Sequence, residues 1–197
     1  MIDNQRLLDT FLKYVRIDSE STHEAIFASH VATDLKAIGC QVEFDDSCSA
    51  TGSDCGNLYA VLPGNMDGEP IIFSAHMDTV APGIGVEPVI ENGVIRSQGN
   101  TILGGDDKSG IVAVVEVLRT IVDNNLPHPT IQAVFTVCEE TGLHGSAAID
   151  YCKLVAKRAV VLDSSGDAGK VIISAPGHCE LQAAVAGRSA HAGVAPE

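Results

Sequence analysis

Tryptophan is absent from this chain, and Phe and Tyr are so few that aromatics reach only 4% of its 197 residues. A core without large rings must be built from Val, Ile, Leu and Ala, which suits a buried sheet flanked by helices. Hydrophobic residues make up 45% and mean hydropathy is +0.18, so the chain is rich enough in apolar side chains to fold rather than stay disordered. Basic residues are scarce as well: 12 Lys and Arg stand against 26 Asp and Glu, for a net charge of -14. That balance argues against nucleic acid or an anionic membrane as partner. No apolar run is long enough to span a bilayer, and the polar start Met1-Ile2-Asp3-Asn4-Gln5 does not read as a secretion signal. The six cysteines (Cys40, Cys48, Cys55, Cys138, Cys152 and Cys179) show neither disulfide-scaffold density nor a C-x-x-C pair. They read as idle thiols in a reducing, cytoplasmic setting. Gly-x-Ser-x-Gly does not occur, so a serine hydrolase has no support, and Cys138 has no evident base partner.

What is present is an alternation of helical and extended patterns. Leu7, Leu8, Phe11, Leu12 and Val15 predict a helix over 3–16, and a second is expected over 24–38, terminated by Gly39. Strands are expected at 41–44, 57–62 and 70–75, with a polar loop at 45–56 and a hairpin over 89–97 around Asn92-Gly93. An apolar helix at 109–123, a strand at 131–137, a short helix near 145–151 and a strand at 158–162 follow. This order predicts an α/β three-layer sandwich with a mixed, largely parallel sheet. Val171-Ile172-Ile173-Ser174 and 180–186 read as two further strands, and Pro196-Glu197 as a helix opening. The expected organisation is therefore residues 1–170 as one domain and 171–197 as the beginning of a smaller one.

Acidic residues and one histidine fall directly after the hydrophobic runs. Ile71 to Ala75 leads into His76-Met77-Asp78, Ile131 to Val137 into Cys138-Glu139-Glu140, and Ala159 to Leu162 into Asp163. Gly104-Gly105-Asp106-Asp107-Lys108 precedes the apolar helix. Ligands of open α/β sheets bind beyond the carboxyl ends of strands. A His–carboxylate cluster there is costly unless a cation neutralises it, so the pattern predicts a divalent-metal site and a hydrolase. In extended chain, His76 and Asp78 share a face, letting Asp78 take the second ring N–H and fix the tautomer. Asp106 and Asp107 read either as helix-capping residues or as metal ligands, with Lys108 countering their charge. One of Glu139 and Glu140 can bind metal while the other takes a proton from water. Asp163 reads as a turn residue or a ligand. Nitrogen and oxygen donors without thiolate suit Zn, Mn or Co.

Taken together, Ser74 to Val80, Leu103 to Gly110, Glu139 to Leu143, Leu162-Asp163 and Ala190-His191-Ala192-Gly193 resemble the dinuclear zinc metallopeptidases that include peptidase T, carboxypeptidase G and the aminoacylases. The resemblance is nearest to the peptidase T-like branch and covers essentially the whole chain in order. It implies the three-layer zinc-peptidase fold, with 171–197 starting an α+β lid or dimerisation domain. It implies two divalent ions, zinc foremost, with His76 and Asp163 on one, Glu140 on the other and Asp106 bridging. By the same resemblance Glu139 is the general base, Asp78 orients His76, and His191 helps bind the substrate carbonyl, often across a homodimer. The implied activity is hydrolysis of short peptides, as a tripeptide-type aminopeptidase. Deacylation of an N-acyl amino acid, or a non-catalytic binding role, remains open at this point.

Two departures from the pattern stand out. Cys138 occupies a position usually held by a small residue, and we read it as a buried one. The histidine of the second metal has no counterpart among His128, His144 and His178, so the chain reads as an N-terminal fragment with an incomplete second site.

Overall fold

The computed structural model describes residues 1–167, 169–177, 179, 181, 183–184 and 186–187. They fall into two units, Met1–Ser164 and Ser165–Glu197. The break comes a few residues before the 170/171 boundary read from sequence.

In the first unit, α1 (Asn4–Val15) begins at Asp3, whose carboxylate accepts from the N–H groups of Gln5 and Arg6. Helix α2 (Ala25–Ile38) stops at Gly39, which adopts φ 106° and returns its N–H to the last turn. Strand β1 (Gln41–Phe44) follows, and the loop after it contains a short helix, α3 (Cys48–Thr51), that its polar composition did not suggest. Strands β2 (Leu58–Leu62) and β3 (Ile71–His76) come next. The hairpin of β4 (Pro88–Glu91) and β5 (Val94–Ser97) turns on Asn92 and Gly93, both at positive φ as its tight turn requires. Helix α4 (Gly105–Asp123) has non-helical backbone at Asp106 and Asp107, so its regular part agrees with the predicted 109–123. Strand β6 (Ile131–Thr136), short helix α5 (His144–Ala147), a 3-10 turn (Tyr151–Lys153) and β7 (Ala159–Val161) complete the unit.

The main sheet is mixed, with strand order β1-β2-β6-β3-β7. β2 is antiparallel to both of its neighbours, whereas β3 lies between β6 and β7 and is parallel to both. The parallel pairings are thus confined to the half of the sheet where the acidic strand ends lie. Strand alternation sends Ala133 and Phe135 to one face, with Tyr14, Phe27, Leu35, Ile111 and Leu118 of α1, α2 and α4 packed over it. The opposite face presents Tyr59, Ile72 and Val134, against which only Ile149, Leu154 and Ala156 pack among the described residues. The third layer is correspondingly thin. α5 and the 3-10 turn replace the single helix expected near 145–151.

In the second unit the predicted strand at 171–174 does not form, and the described residues of 181–186 also lie outside strands. Val171, Ile172 and Ile173 are exposed. β-branched composition favours an extended chain, but a strand also needs a neighbour to complete its hydrogen bonds, and composition cannot supply one.

Candidate metal centre

The parallel register gathers the site. His76, the last residue of β3, pairs with Thr136 of β6, and on the other side Ser74 pairs with Val161 of β7. Continuing those ladders brings the Cys138–Glu140 turn beside Asp78 and brings Asp163 alongside His76. The ligand atoms of His76, Asp106 and Asp163 lie within 4.8 Å of one another, as do those of His76, Glu139 and Glu140. All five residues read from sequence as metal ligands or base therefore meet around one imidazole. His191 lies outside the described residues. His128 is turned elsewhere, its Nδ1 2.8 Å from the Pro129 carbonyl. Among the described residues no second imidazole joins either group.

His76 is buried, and its ring faces the Asp78 carboxylate expected from sequence and, more closely, that residue's backbone carbonyl. Nδ1 lies 2.9 Å from the backbone carbonyl of Asp78 and 3.5 Å from that residue's Oδ1. Nε2 points at Asp106, 3.3 Å from Oδ1. A backbone carbonyl accepting from Nδ1 leaves Nε2 as the metal-facing nitrogen. The Asp78 carboxylate is occupied mainly by the turn after β6. Oδ1 accepts from Glu139 N–H at 2.9 Å, and Oδ2 from Glu140 N–H at 3.1 Å and Ser21 Oγ at 2.7 Å. Burial would raise the pKa of Asp78, but nearby His76 and these donors hold it below the usual carboxylate value.

The Asp106–Asp107 pair divides two roles. Asp107 is buried and accepts from Gly110 N–H at 3.1 Å, as a helix-opening residue does, while the Asp106 side chain is 74% exposed and faces His76. Lys108 does not counter the charge of these carboxylates as expected. It is buried over the Phe27 ring and donates to the Ile17 carbonyl at 2.6 Å, because its long stem packs into the core and carries the ammonium to the end of α1. Cys138 is fully buried, and burial followed by the nearby Glu24 pushes its thiol up to about 11. It is a buried residue, the reading favoured from sequence.

The electrostatics favour a cation. Burial lowers the pKa of His76, yet Asp78, Asp107 and Glu139 outweigh it and raise the imidazole to about 10. Glu139, Glu140 and Asp163 are all pushed up, first by burial and then by neighbouring carboxylates. Asp107 rises to about 7, chiefly through burial. One imidazole among crowded carboxylates is the donor set that a divalent ion relieves. The cluster borders a cleft of about 350 Å³ with apolar walls that include Ile72, Val134 and Leu154.

Ser21, Glu24 and Asn57 were not legible as site residues. Glu24 and Asn57 accept N–H groups at the turn after β6 and Ser21 donates to the Asp78 that holds it, and each looks in sequence like ordinary loop or helix-start polarity.

Strand-end carboxylates and one imidazole on a parallel sheet, gathered beside a cleft, form a candidate divalent-metal site. The chain belongs to peptidase family M28, whose sequence profile matches residues 57–189. It is 43% identical over its full length to the protein YqjE of Bacillus subtilis (strain 168), described as uncharacterized, and spans 53% of that protein. The crystal structure of aminopeptidase PepT from Bacillus cereus superposes with a TM-score of 0.82 at 42% identity, over 84% of this chain and 44% of that one. A tripeptidase from Staphylococcus aureus gives a TM-score of 0.83 at 38% identity, over 85% of this chain and 45% of that one. The chain thus spans about half the length of the relatives it matches.

Proposed function

We propose that this chain carries the metal-binding part of a metallopeptidase that cleaves short peptides, as a tripeptide-type aminopeptidase. The observation that carries the reading is the convergence of His76, Asp106, Glu139, Glu140 and Asp163 at parallel strand ends. The similarity to a tripeptidase and to an aminopeptidase PepT supports the substrate class.

His76, Asp106 and Asp163 would hold one divalent ion, and Asp106 with Glu140 would contribute to a second. Zinc suits this nitrogen and oxygen donor set, with Mn or Co as alternatives. Bound there, such ions supply Lewis acidity to a peptide carbonyl and lower the pKa of water. Glu139 lines the cleft together with His76 and Asp163, so its carboxylate is the group placed to take a proton from the attacking water and return it to the leaving amine. Its raised pKa, from burial and neighbouring carboxylates, brings it closer to the range a proton shuttle needs. Asp78 carries no ligand role in this scheme and anchors the Glu139–Glu140 turn by its backbone. His191 is assigned to the substrate carbonyl and the 171–197 segment to a lid or homodimer contact, both on the resemblance alone. A cytoplasmic setting is supported by cysteines without paired spacing.

The test is Glu139→Gln in the zinc-loaded protein. We expect zinc content unchanged and kcat on a tripeptide lower by about 10² to 10⁴. Wild-type turnover in this variant would remove Glu139 as the base. Failure of the wild-type protein to retain zinc after chelation and reloading would remove the metal reading itself.

A further inference from the structure

Two carboxylates outside the metal cluster hold the turn that carries Glu139 and Glu140. Glu24 and Asp78 are both fully buried. Between them they accept three consecutive backbone N–H groups: Cys138 on Glu24 Oε1 at 3.0 Å, Glu139 on Asp78 Oδ1 at 2.9 Å and Glu140 on Asp78 Oδ2 at 3.1 Å. Immediately before them, Val137 N–H is taken by Asn57 Oδ1 at 3.1 Å. Cys138 sits at φ 51°, in the left-handed region that a non-glycine residue keeps only when its surroundings impose it. Successive N–H groups around such a residue form a concavity that attracts an anion. Here the anions are the protein's own.

Asp78 is only two residues from His76, but Glu24 reaches the turn across 114 residues. Helix α2 does not account for it, since Glu24 gives that helix no side-chain cap. Its other contacts are Ser53 Oγ at 2.6 Å, Thr22 N–H at 3.1 Å and the Cys138 thiol at 3.5 Å. A fully buried polar side chain is expensive, and an apolar residue of similar size would fill the space without that cost. The acceptor oxygen is explained by what it holds in place: the side chains of Glu139 and Glu140 repel each other and Asp163, and a free turn would splay them apart.

We propose that Glu24 is a positioning residue for this centre, acting through the Cys138 N–H to set the direction of Glu139 and Glu140. The inference rests on the metal-centre reading above. It predicts a graded series, because Gln keeps an acceptor oxygen at the same reach, Asp keeps the charge but withdraws it, and Ala removes both.

Cobalt(II) is the probe, read by its visible absorption and its titration midpoint, alongside amide hydrogen exchange at Cys138, Glu139 and Glu140. Glu24→Asp and Glu24→Ala are expected to weaken cobalt binding by about 10-fold or more and shift its absorption bands, with Glu24→Gln within about twofold of wild type. Exchange at the three turn amides should quicken in Glu24→Asp while the Ala133 and Phe135 amides of β6 stay protected, which separates repositioning from unfolding. If Glu24→Ala does not fold, Glu24→Asp decides. Unchanged cobalt affinity, absorption and turn exchange in Glu24→Asp would overturn the proposal. If the wild-type protein takes up no cobalt, the metal reading falls, and turn exchange alone then decides whether Glu24 holds these residues in place.

Discussion

At the scale of single residues, buried charges in this chain work by gripping backbone. Asp78 holds two N–H groups of the Glu139–Glu140 turn. Glu116 does similar work between helices: it is buried in α4, and it accepts from Asp3 N–H at 2.9 Å and from Arg6 Nε at 2.7 Å. The Arg6 guanidinium lowers the Glu116 pKa to about 2, against the ordinary 4.5. A depressed folded-state pKa means stabilisation that is complete above the unfolded value and lost as pH falls through the folded one. Urea unfolding should therefore show wild type losing stability between pH 4.5 and about 2 through this group. Glu116→Gln should be less stable by about 1.5–3 kcal/mol at pH 6, with the difference shrinking toward pH 2. A constant difference across that range would show that charge is not the source. The sequence made the clustered acids legible because they end apolar runs. It could not reveal Glu24 or Ser21, whose partners lie far along the chain.

At the scale of elements, the site depends on how closely α5 approaches the end of β6. Asn57 joins them, accepting from Val137 N–H at 3.1 Å and donating to the Gly145 carbonyl at 2.9 Å. A Cβ at Gly145 would collide with the Val137 backbone and the Asn57 side chain. Backbone cannot swing aside as a flexible side chain can, so Gly145→Ala should cost about 1–3 kcal/mol by thermal or urea unfolding. Unchanged stability would mean that α5 tolerates displacement. Element types and positions were largely readable, because helical spacing, strand alternation, Gly39 and Asn92-Gly93 are local signals. Strand order was not: β3 lies next to β6 and β7 although 54 residues separate the ends of β3 and the start of β6. The direction of Lys108 was also beyond local reading, since its partner is a carbonyl at the end of α1.

At the scale of the whole chain, one sheet face is well covered by α1, α2 and α4, while the other is thinly covered among the described residues. β7 is the last strand of the sheet order, with Val160 46% and Val161 61% exposed. An edge strand with exposed β-branched residues is a template for pairing with another chain. Val161→Lys should reduce concentration-dependent light scattering of this chain without changing its circular dichroism, and unaltered scattering would place self-association elsewhere. Among the described residues, no helix is long and apolar enough to cross a membrane.

The sequence by itself determined the α/β class, most element boundaries and the membership of the acidic cluster. These follow from periodicity, turn chemistry and donor type, all properties of neighbouring residues. Only the tertiary structure decided that the parallel half of the sheet carries the site and that, among the described residues, 171–174 lies outside the strands. It also decided that a backbone carbonyl holds His76 while Asp78 and Glu24 grip the turn after β6. The grip on the turn depends on hydrogen bonds between residues remote in the chain, and such partners exist only once the sheet has assembled.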